Sequence, residues 1–403
     1  MVVSQIWVCE RTQVRSHTQI WEVATATPKE LKGYAKIIII KGAYLAKMNR
    51  TFLLFVVFTL ALAGCQPASQ SPTPGAVKQG STGTYWPTQD WRASTPEQQG
   101  MDSALLAQAV AKVKKDSISL FSLLVIRNGY IVSETYFQGA GAGERREIYS
   151  VSKSFTSTLV GIAIDQGLID GVKPTVSSFF PGRTFQNDDS RKQAMTLENV
   201  LTMNTGLDWV EGDPAYQALY TSNDWAKFML DLPMAAQPGT HFNYCSGCTY
   251  LLSNILQSKS GNTAAFARKN LFEPLGITGY SWDTDNRGIP IGGWGLKLTP
   301  REMAKLGYLF LHNGQWDGRQ VVSSAWVQAA TQKHSSTDGN LGYGYQWWIY
   351  DKYGAYSALG RYGQTIFVVP KLNLVIVTTA LSEENNDRIF ALIDNYIMPA
   401  VKD

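Results

Sequence analysis

The chain contains few charged residues and few of the side chains that usually bind metal ions. Of its 403 residues 17% are Asp, Glu, Lys or Arg, and it has four histidines and four cysteines. An intrinsically disordered chain or a long coiled coil would need a much higher charged fraction. The sequence has no H-E-x-x-H and no paired C-x-x-C, so we expect neither a metal ion nor another cofactor. Its 44% hydrophobic and 12% aromatic residues instead predict a globular body with a large core.

The small excess of positive charge lies at the amino end of the chain. The formal net charge is +4, but residues 1–64 alone contain eight Lys or Arg and only three Asp or Glu. The remaining residues are close to neutral, and their charges are scattered along the sequence. Nucleic-acid binding needs a basic face that releases counterions from the phosphates. We therefore expect no nucleic-acid partner.

Residues 48–65 have the layout of a secretory signal. A short basic start at Lys47 and Arg50 precedes an apolar run over 52–63 and a few small residues before Cys65. At about 12 residues this run is too short to cross a bilayer as a helix, which takes about 20. The four residues 62–65, Leu-Ala-Gly-Cys, resemble the bacterial lipobox, in which the cysteine becomes the lipid-modified first residue. The alternative is an ordinary signal peptide with a coincidental cysteine.

Segment boundaries follow from this signal. We expect residues 1–47 to be an over-extended reading frame, 48–64 a lipoprotein signal peptide, and 65–84 a flexible tether rich in Pro, Ser, Gly, Thr and Gln. Residues 85–403 contain no repeat and no second linker and should fold as one unit. The protein would then be anchored to the membrane through lipid at Cys65, with its folded part in the periplasm or elsewhere outside the cytoplasm.

The body begins and ends in predicted strands and is helical in between. Asn128-Gly129 lies between two β-rich runs within residues 120–137, which indicates a hairpin. A helix is predicted from Ser150 to Gln166, closed by Gly167. Further helices are predicted at 105–115, 197–203, 223–232, 246–258, 300–313, 323–331 and 387–398, and further strands at 344–350, 363–369 and 372–379. Strands from distant segments imply one antiparallel sheet with an inserted helical subdomain, an α/β (α+β) fold.

The start of the helix predicted at 150–166 contains the only S-x-x-K of the chain, Ser150 and Lys153. Residues three apart on a helix share one face, so the lysine amine can approach the serine hydroxyl. The amine can take the serine proton if burial or a nearby cation lowers its pKa. The alternative is a serine-rich helix start that Ser150 only caps. A Ser-His-Asp hydrolase of the α/β type is disfavoured because no G-x-S-x-G occurs.

Six segments of the body carry a family resemblance. They are SVSKSFTSTLVGIAIDQG (150–167), TLENVLTMNTGLDW (196–209), PGTHFNYCSGCTYLLSNIL (238–256), LFEPLGITGYSW (271–282), GGWGLKLTPREMAKLGYLFLHNGQWDGRQVV (292–322) and GRYGQTIFVVP (360–370). In this order they resemble the serine β-lactamase-related hydrolases, the class C β-lactamase-like group that includes esterases and 6-aminohexanoate-dimer hydrolase. The resemblance runs from about Trp91 to the carboxyl end. It implies the β-lactamase/penicillin-binding-protein-like fold, an antiparallel sheet flanked by helices with a mostly helical subdomain, and serine acylation without a cofactor.

The resemblance also implies roles for individual residues. Ser150 matches the family's nucleophile and Lys153 its partner lysine. The second family motif, Tyr-x-Asn or Tyr-x-Ser, matches Tyr244-Cys245-Ser246; its tyrosine helps to move the proton to the leaving group, and Ser246 would belong to the substrate-binding site. Tyr220-Thr221-Ser222 has the same pattern. We prefer Tyr244 because Pro238-Gly239 precedes it and a helix follows it, as in the family.

The third family motif, Lys-Thr-Gly, is absent from this sequence. Alignment back from GQTIFVVP puts Ala358-Leu359-Gly360 on the strand beside the nucleophile. The resemblance then implies that the backbone N–H of Arg361 pairs with that of Ser150 as an oxyanion hole. Losing the lysine removes a cation that would hold a β-lactam carboxylate. The sequence therefore favours a carboxylesterase or linear amide hydrolase with weak or no β-lactamase activity, acting on a small-molecule ester or amide.

Two other functions stay open at this point. One is a D-Ala-D-Ala carboxypeptidase or a true β-lactamase, which would use the same serine chemistry. The other is a non-catalytic penicillin-binding or sensor lipoprotein that uses the same cleft without turnover. The fold supports many activities, so the sequence alone does not choose the substrate.

Tryptophans and cysteines near the motifs have weaker claims to function. Trp209, Trp294, Trp347 and Trp348 could line an apolar acyl pocket, with core packing preferred for at least half of them. Cys245 and Cys248 form a C-x-x-C at a predicted helix start. For this pair we prefer two unpaired thiols to a disulfide.

Overall fold

A nine-stranded sheet runs through the part of the chain that the structure describes, residues 85–402 apart from 213 and 384, in a computed structural model. The strands in chain order are β1 (Arg92–Ala93), β2 (Leu120–Arg127), β3 (Tyr130–Tyr136), β4 (Arg146–Glu147), β5 (Ser281–Trp282), β6 (Leu296–Leu298), β7 (Gln315–Trp316), β8 (Arg319–Gln320), β9 (Ser335–Ser336), β10 (Gly342–Tyr343), β11 (Trp348–Tyr350), β12 (Ala355–Gly360), β13 (Gln364–Val369) and β14 (Leu374–Ala380). The large sheet has the order β1-β3-β2-β14-β13-β12-β11-β10-β9. Its pairs are antiparallel except for the parallel pair β1 and β3.

The hairpin between β2 and β3 forms where the sequence predicts it. Asn128 and Gly129 both have positive φ, 52° and 79°. A two-residue turn with two positive φ angles matches the right-handed twist of the strands that it joins. β2 then pairs on its other side with β14, so the beginning and the end of the body meet in one sheet. This arrangement confirms the predicted antiparallel sheet built from distant segments.

Helices surround the sheet and form a mostly helical region. They are α1 (Ser103–Lys115), α2 (Ser152–Asp165), α3 (Ser190–Ala194), α4 (Leu197–Leu201), α5 (Pro214–Thr221), α6 (Trp225–Asp231), α7 (Ser246–Ser260), α8 (Thr263–Ala267), α9 (Pro300–Leu311), α10 (Ser324–Ala330) and α11 (Asn385–Leu392). Among the described residues, no helix combines the length and the apolar character needed to span a membrane.

Both faces of the sheet are covered. A Cβ on Gly307 of α9 would touch Ile366 of β13, so this glycine lets the helix approach the strand closely. The next residue of β13, Phe367, packs its ring against Phe390 of α11, 6.1 Å between centroids. Because neighbouring strand residues point to opposite faces, α9 and α11 lie on opposite sides of the sheet.

Two helices of the inserted region are buried nearly all round. Every residue of α2 from Ser152 to Ala163 is buried, and so is every residue of α7 from Ser246 to Leu256. A helix without a solvent face is a core helix, and its polar side chains need partners inside the protein. These two helices pack against each other, and the polar side chains at their amino ends meet there.

Several predicted boundaries differ from the structure by a few residues, and two of the differences lie close to Ser150 or to the inserted helices. α2 begins at Ser152, because residues 149–151 form a tighter 3₁₀ turn. The strand predicted at 344–350 is reduced to β11, because Gln346 has a φ of 63° and the N–H of Gly344 bonds back to the carbonyl of Trp347 at 2.8 Å. Gly167 does end α2 in the left-handed conformation, φ 70°, as predicted.

The signal peptide, the lipid-modified cysteine and the tether predicted from the sequence lie outside the described residues. They remain predictions.

Candidate active site

Ser150 and Lys153 lie within hydrogen-bond distance at the amino end of α2. The Nζ atom of Lys153 is 2.8 Å from Oγ of Ser150. Ser150 is half-buried, whereas the lysine is 1% exposed. The side chain of Ser150 does not cap the helix, so the alternative of a merely structural serine does not describe this site. A hydroxyl at the surface and an amine beneath it can serve as a nucleophile and its proton acceptor.

Lys153 is held by two further oxygens. Its Nζ atom is 3.0 Å from Oγ of Ser246, the first residue of α7, and 3.0 Å from the carbonyl oxygen of Gly293. The two partners come from separate segments of the chain. The lysine is therefore fixed by packing and hydrogen bonds, and its amine cannot swing out to solvent.

Tyr244 covers the same amine. The centre of its ring is 4.9 Å from Nζ of Lys153, and the ring stacks on Trp348 at 5.8 Å between centroids. Tyr220, which has the same sequence motif, instead packs its ring against Trp225 and Trp294, at 5.5 and 5.6 Å. The structure brings Tyr244 to the Ser150–Lys153 pair.

The end of β12 lies against the turn that carries Ser150. A Cβ on Gly360 would clash with the carbonyl oxygen of Ile148, two residues before Ser150. The guanidinium of Arg361 forms an ion pair with Glu383. Its backbone is held from the other side, because the side-chain amide of Gln364 donates to the carbonyl oxygen of Arg361 at 3.1 Å. This strand end therefore adjoins the turn that carries Ser150, at the position that the sequence alignment gave for the third motif.

Two tyrosines with unusual backbone conformations lie next to Ser150 and next to Arg361. Tyr149 precedes Ser150 and has a φ of 48°, while Tyr362 follows Arg361 and has a φ of 67°. Their rings meet edge to face at 5.1 Å. Residues other than glycine seldom adopt this left-handed backbone conformation, and such residues are concentrated at functional sites. Burial raises the pKa of the Tyr149 hydroxyl, which keeps this group neutral near pH 7.

Glu211 belongs to the same cluster, and sequence reasoning missed it. One carboxylate oxygen, Oε1, accepts the hydroxyl proton of Ser246. The other, Oε2, accepts the backbone N–H of Ser246 at 3.0 Å and the indole N–H of Trp209 at 2.7 Å. Glu211 and Ser246 are far apart in the sequence, so no local motif signals their contact.

The prediction of free thiols at Cys245 and Cys248 is wrong, because the two residues form a disulfide. Cys245 is the extended residue before α7 and Cys248 lies in the first turn, which brings their Cα atoms to 5.2 Å. That distance lies in the usual range for disulfides. The bridge encloses Ser246 and lies directly beside Tyr244.

The four tryptophans have different environments. Trp347 is fully buried, and Trp348 and Trp209 are buried beside the site residues Tyr244 and Glu211. Trp294 is half-buried and follows Gly293, whose carbonyl binds the lysine. Core packing accounts for Trp347, as preferred, whereas Trp294 is the tryptophan of the four with the most accessible surface near the site.

A family model described as Beta-lactamase matches residues 103–393. The 6-aminohexanoate-dimer hydrolase of Paenarthrobacter ureafaciens is 27% identical over 285 residues, which cover 64% of this chain and 71% of that protein.

Solved structures share the fold at lower identity. EstCE1, described as a hydrolase with promiscuous acyltransferase activity, has a TM-score of 0.63 and 17% identity over 73% of this chain and 98% of its own. A family VIII carboxylesterase has a TM-score of 0.60 and 15% identity over 77% of this chain and 99% of its own. These similarities confirm the fold that the sequence resemblance implied.

Proposed function

This chain belongs to the Beta-lactamase family and is a serine hydrolase, and on that premise we propose that it hydrolyses linear esters or amides through an acyl-enzyme on Ser150. The observation that carries the proposal is the 2.8 Å contact between Oγ of Ser150 and the buried Nζ of Lys153. Lys153 is the base, Tyr244 passes the proton on, and the backbone N–H groups of Ser150 and Arg361 form the oxyanion hole.

The reaction has two steps, acylation of Ser150 and hydrolysis of the acyl-enzyme. Lys153 takes the hydroxyl proton of Ser150 while Oγ forms a bond to the substrate carbonyl carbon. The bond to the leaving alcohol or amine breaks, and that group leaves with the proton, delivered through Tyr244. A water molecule then attacks the acyl-enzyme, the bond between Oγ and the carbonyl carbon breaks, and Ser150 regains its proton as the carboxylic acid leaves.

The strand beside the nucleophile supports linear esters and amides over β-lactams. β12 reads AYSALG and contains no lysine or arginine. The basic residue that follows it, Arg361, is engaged with Glu383. A β-lactam carboxylate would then lack the cation that its recognition needs. The relative named above as 6-aminohexanoate-dimer hydrolase and the structural neighbour described as a carboxylesterase agree in kind with this substrate class.

The test compares two serines of the same motif. Ser150→Ala should abolish both fluorophosphonate labelling and turnover of a nitrophenyl ester. Ser152→Ala is the matched control, since the Ser152 hydroxyl is buried and makes no hydrogen bond; this variant should retain both. Nitrophenyl esters and linear amides should be hydrolysed with a higher kcat/KM than nitrocefin or a D-Ala-D-Ala peptide. Turnover that survives in Ser150→Ala would refute the mechanism, a preference for nitrocefin would refute the substrate class, and labelling without turnover would leave the non-catalytic alternative.

We also propose that the protein is exported and anchored through lipid on Cys65. The signal-like residues 48–64 and the lipobox-like end support this, and so does the disulfide between Cys245 and Cys248, because disulfides persist in oxidising compartments outside the cytoplasm. The near-neutral body has no charge-based reason to bind anionic lipid. Growth of an expressing bacterium with labelled palmitate should label the protein, and Cys65→Ser should remove the label. Equal labelling of the two forms would overturn the anchor.

A further inference from the structure

The proton of the Ser246 hydroxyl has a fixed direction in this site. Oε1 of Glu211 accepts it, since the oxygens of a carboxylate can only accept hydrogen bonds. The carboxylate itself is held, because its second oxygen accepts the Ser246 backbone N–H and the Trp209 indole N–H. A hydroxyl has one proton, so Ser246 can only accept from Lys153 on its other side.

The same reasoning applies to the second partner of the lysine. The carbonyl oxygen of Gly293 lies 3.0 Å from Nζ of Lys153 and has no proton, so it can only accept. A neutral amine has two N–H groups and one lone pair. When Ser246 and Gly293 take the two N–H groups, the lone pair points toward Ser150, whose oxygen is 2.8 Å away.

We propose that Glu211 is a positioning residue for the reaction, which acts through the Ser246 hydroxyl to aim the lone pair of neutral Lys153 at the hydroxyl of Ser150. The inference rests on the proposed function, in which Lys153 is the base. Without Glu211, the Ser246 hydroxyl could turn and donate to the lysine lone pair. Ser150 would then face an N–H group instead of a base, and its proton would have no acceptor.

Glu211 has a second effect once the proton has moved. Lys153 becomes an ammonium, and all three of its N–H groups then have an oxygen to bind. The negative charge of Glu211, one hydroxyl away, favours this charged form, because opposite charges attract more strongly inside a protein than in water. Removal of the charge should therefore lower the pKa of Lys153, so that its amine becomes a neutral base at a lower pH.

The experiment separates a positioning role from a structural one. Glu211→Gln keeps the size of the side chain but cannot serve all three donors and removes the charge. We expect kcat for a nitrophenyl ester to fall by about a hundredfold, the lower end of what a positioned acid or base contributes to a rate. The acidic limb of the profile of kcat/KM against pH should move to lower pH. A structural role alone would not shift that limb.

Two further variants test the route through Ser246. Ser246→Ala should lower kcat, and the double variant Glu211→Gln/Ser246→Ala should be no slower than Ser246→Ala alone, because the effect of Glu211 passes through this hydroxyl. Trp209→Phe removes one donor to the carboxylate but keeps its charge, so it should lower kcat slightly without moving the limb to lower pH. If Glu211→Gln fails to fold, these two variants carry the test.

Glu198→Gln is the matched control. Glu198 is also half-buried and accepts from Tyr345 and Lys173, but it lies in α4 outside the site. It should leave the pH profile unchanged. Independent, multiplying effects of Glu211→Gln and Ser246→Ala, or a wild-type profile in Glu211→Gln, would overturn the inference. If Ser150→Ala stays active, the proposed function fails; if it is inactive while Glu211→Gln behaves as wild type, only the role of Glu211 fails.

Discussion

Gly360 offers the sharpest test of how β12 meets the nucleophile. An alanine at this position would put its Cβ about 1 Å inside ordinary van der Waals contact with the carbonyl oxygen of Ile148. The neighbouring Cβ of Gln364 would be only 3.0 Å away, so the new methyl group cannot move toward that side. The strand end and the turn before Ser150 would have to separate.

The size of the effect follows from this separation. Ser150 follows Ile148 by two residues and Arg361 directly follows Gly360, so the spacing of their backbone N–H groups should widen by a similar distance. A displacement of about 1 Å at a reacting centre can cost about a hundredfold in rate. Loss of one oxyanion donor costs about a hundredfold to a thousandfold in kcat, or about 2.7–4 kcal/mol. We expect Gly360→Ala to lower kcat about a hundredfold, with a smaller change in KM.

The assay is the hydrolysis of a nitrophenyl ester, followed at a temperature well below the unfolding midpoint of each variant. Overpacking should also lower the free energy of unfolding by about 1–3 kcal/mol, which thermal denaturation would measure separately. Gly141→Ala is the control, because a Cβ at Gly141 would meet nothing within 4 Å. A Gly360→Ala enzyme with kcat within twofold of wild type would refute both the contact and the oxyanion role of this strand.

Two further predictions concern stability. Replacement of Cys245 and Cys248 by alanine should lower the free energy of unfolding by about 2 kcal/mol, the loop-entropy value for so short a closed loop; urea denaturation would measure this, and equal stability of the two forms would argue against the bridge. His312 lies between Trp86 and Tyr308, at 4.9 and 4.4 Å between ring centres, and burial lowers its pKa. In the unfolded chain this imidazole takes up a proton near pH 6.5, whereas in the folded protein it stays neutral to a lower pH. The free energy of unfolding should therefore fall as the pH drops below about 6.5. His312→Gln should flatten this slope in urea titrations between pH 7.5 and 5, and an unchanged slope would contradict the assignment.

Sequence patterns predicted correctly the turns, helix ends and contacts that depend only on residues close together in the chain. The β2–β3 turn followed from Asn128-Gly129, since these residues tolerate positive φ, and the end of α2 followed from Gly167 for the same reason. The contact between Ser150 and Lys153 followed from their spacing on a helix. Each of these predictions needed only neighbouring residues.

Features that depend on distant or ambiguous contacts escaped prediction. The helices α5 and α6 lie between Glu211 and Ser246 in the sequence, so no local spacing predicts the contact of these two residues. A C-x-x-C motif is compatible both with two free thiols and with a disulfide. The extended backbone at Cys245, which brings the two cysteines together, is known only from the structure. The strands β9 and β10 have two residues each, too few to show an alternating pattern.

The pairing of β2 with β14 sets the order in which the protein can become active during synthesis. Ser150 and Lys153 leave the ribosome in the first half of the chain, but β12 and β14 are made near its end. Until β14 arrives, β2 has one unpaired edge, which is a site for wrong pairing with other chains. The oxyanion hole proposed at Ser150 and Arg361 would therefore form last, and a nascent chain that still lacks the final strands would carry Ser150 without the backbone N–H of Arg361.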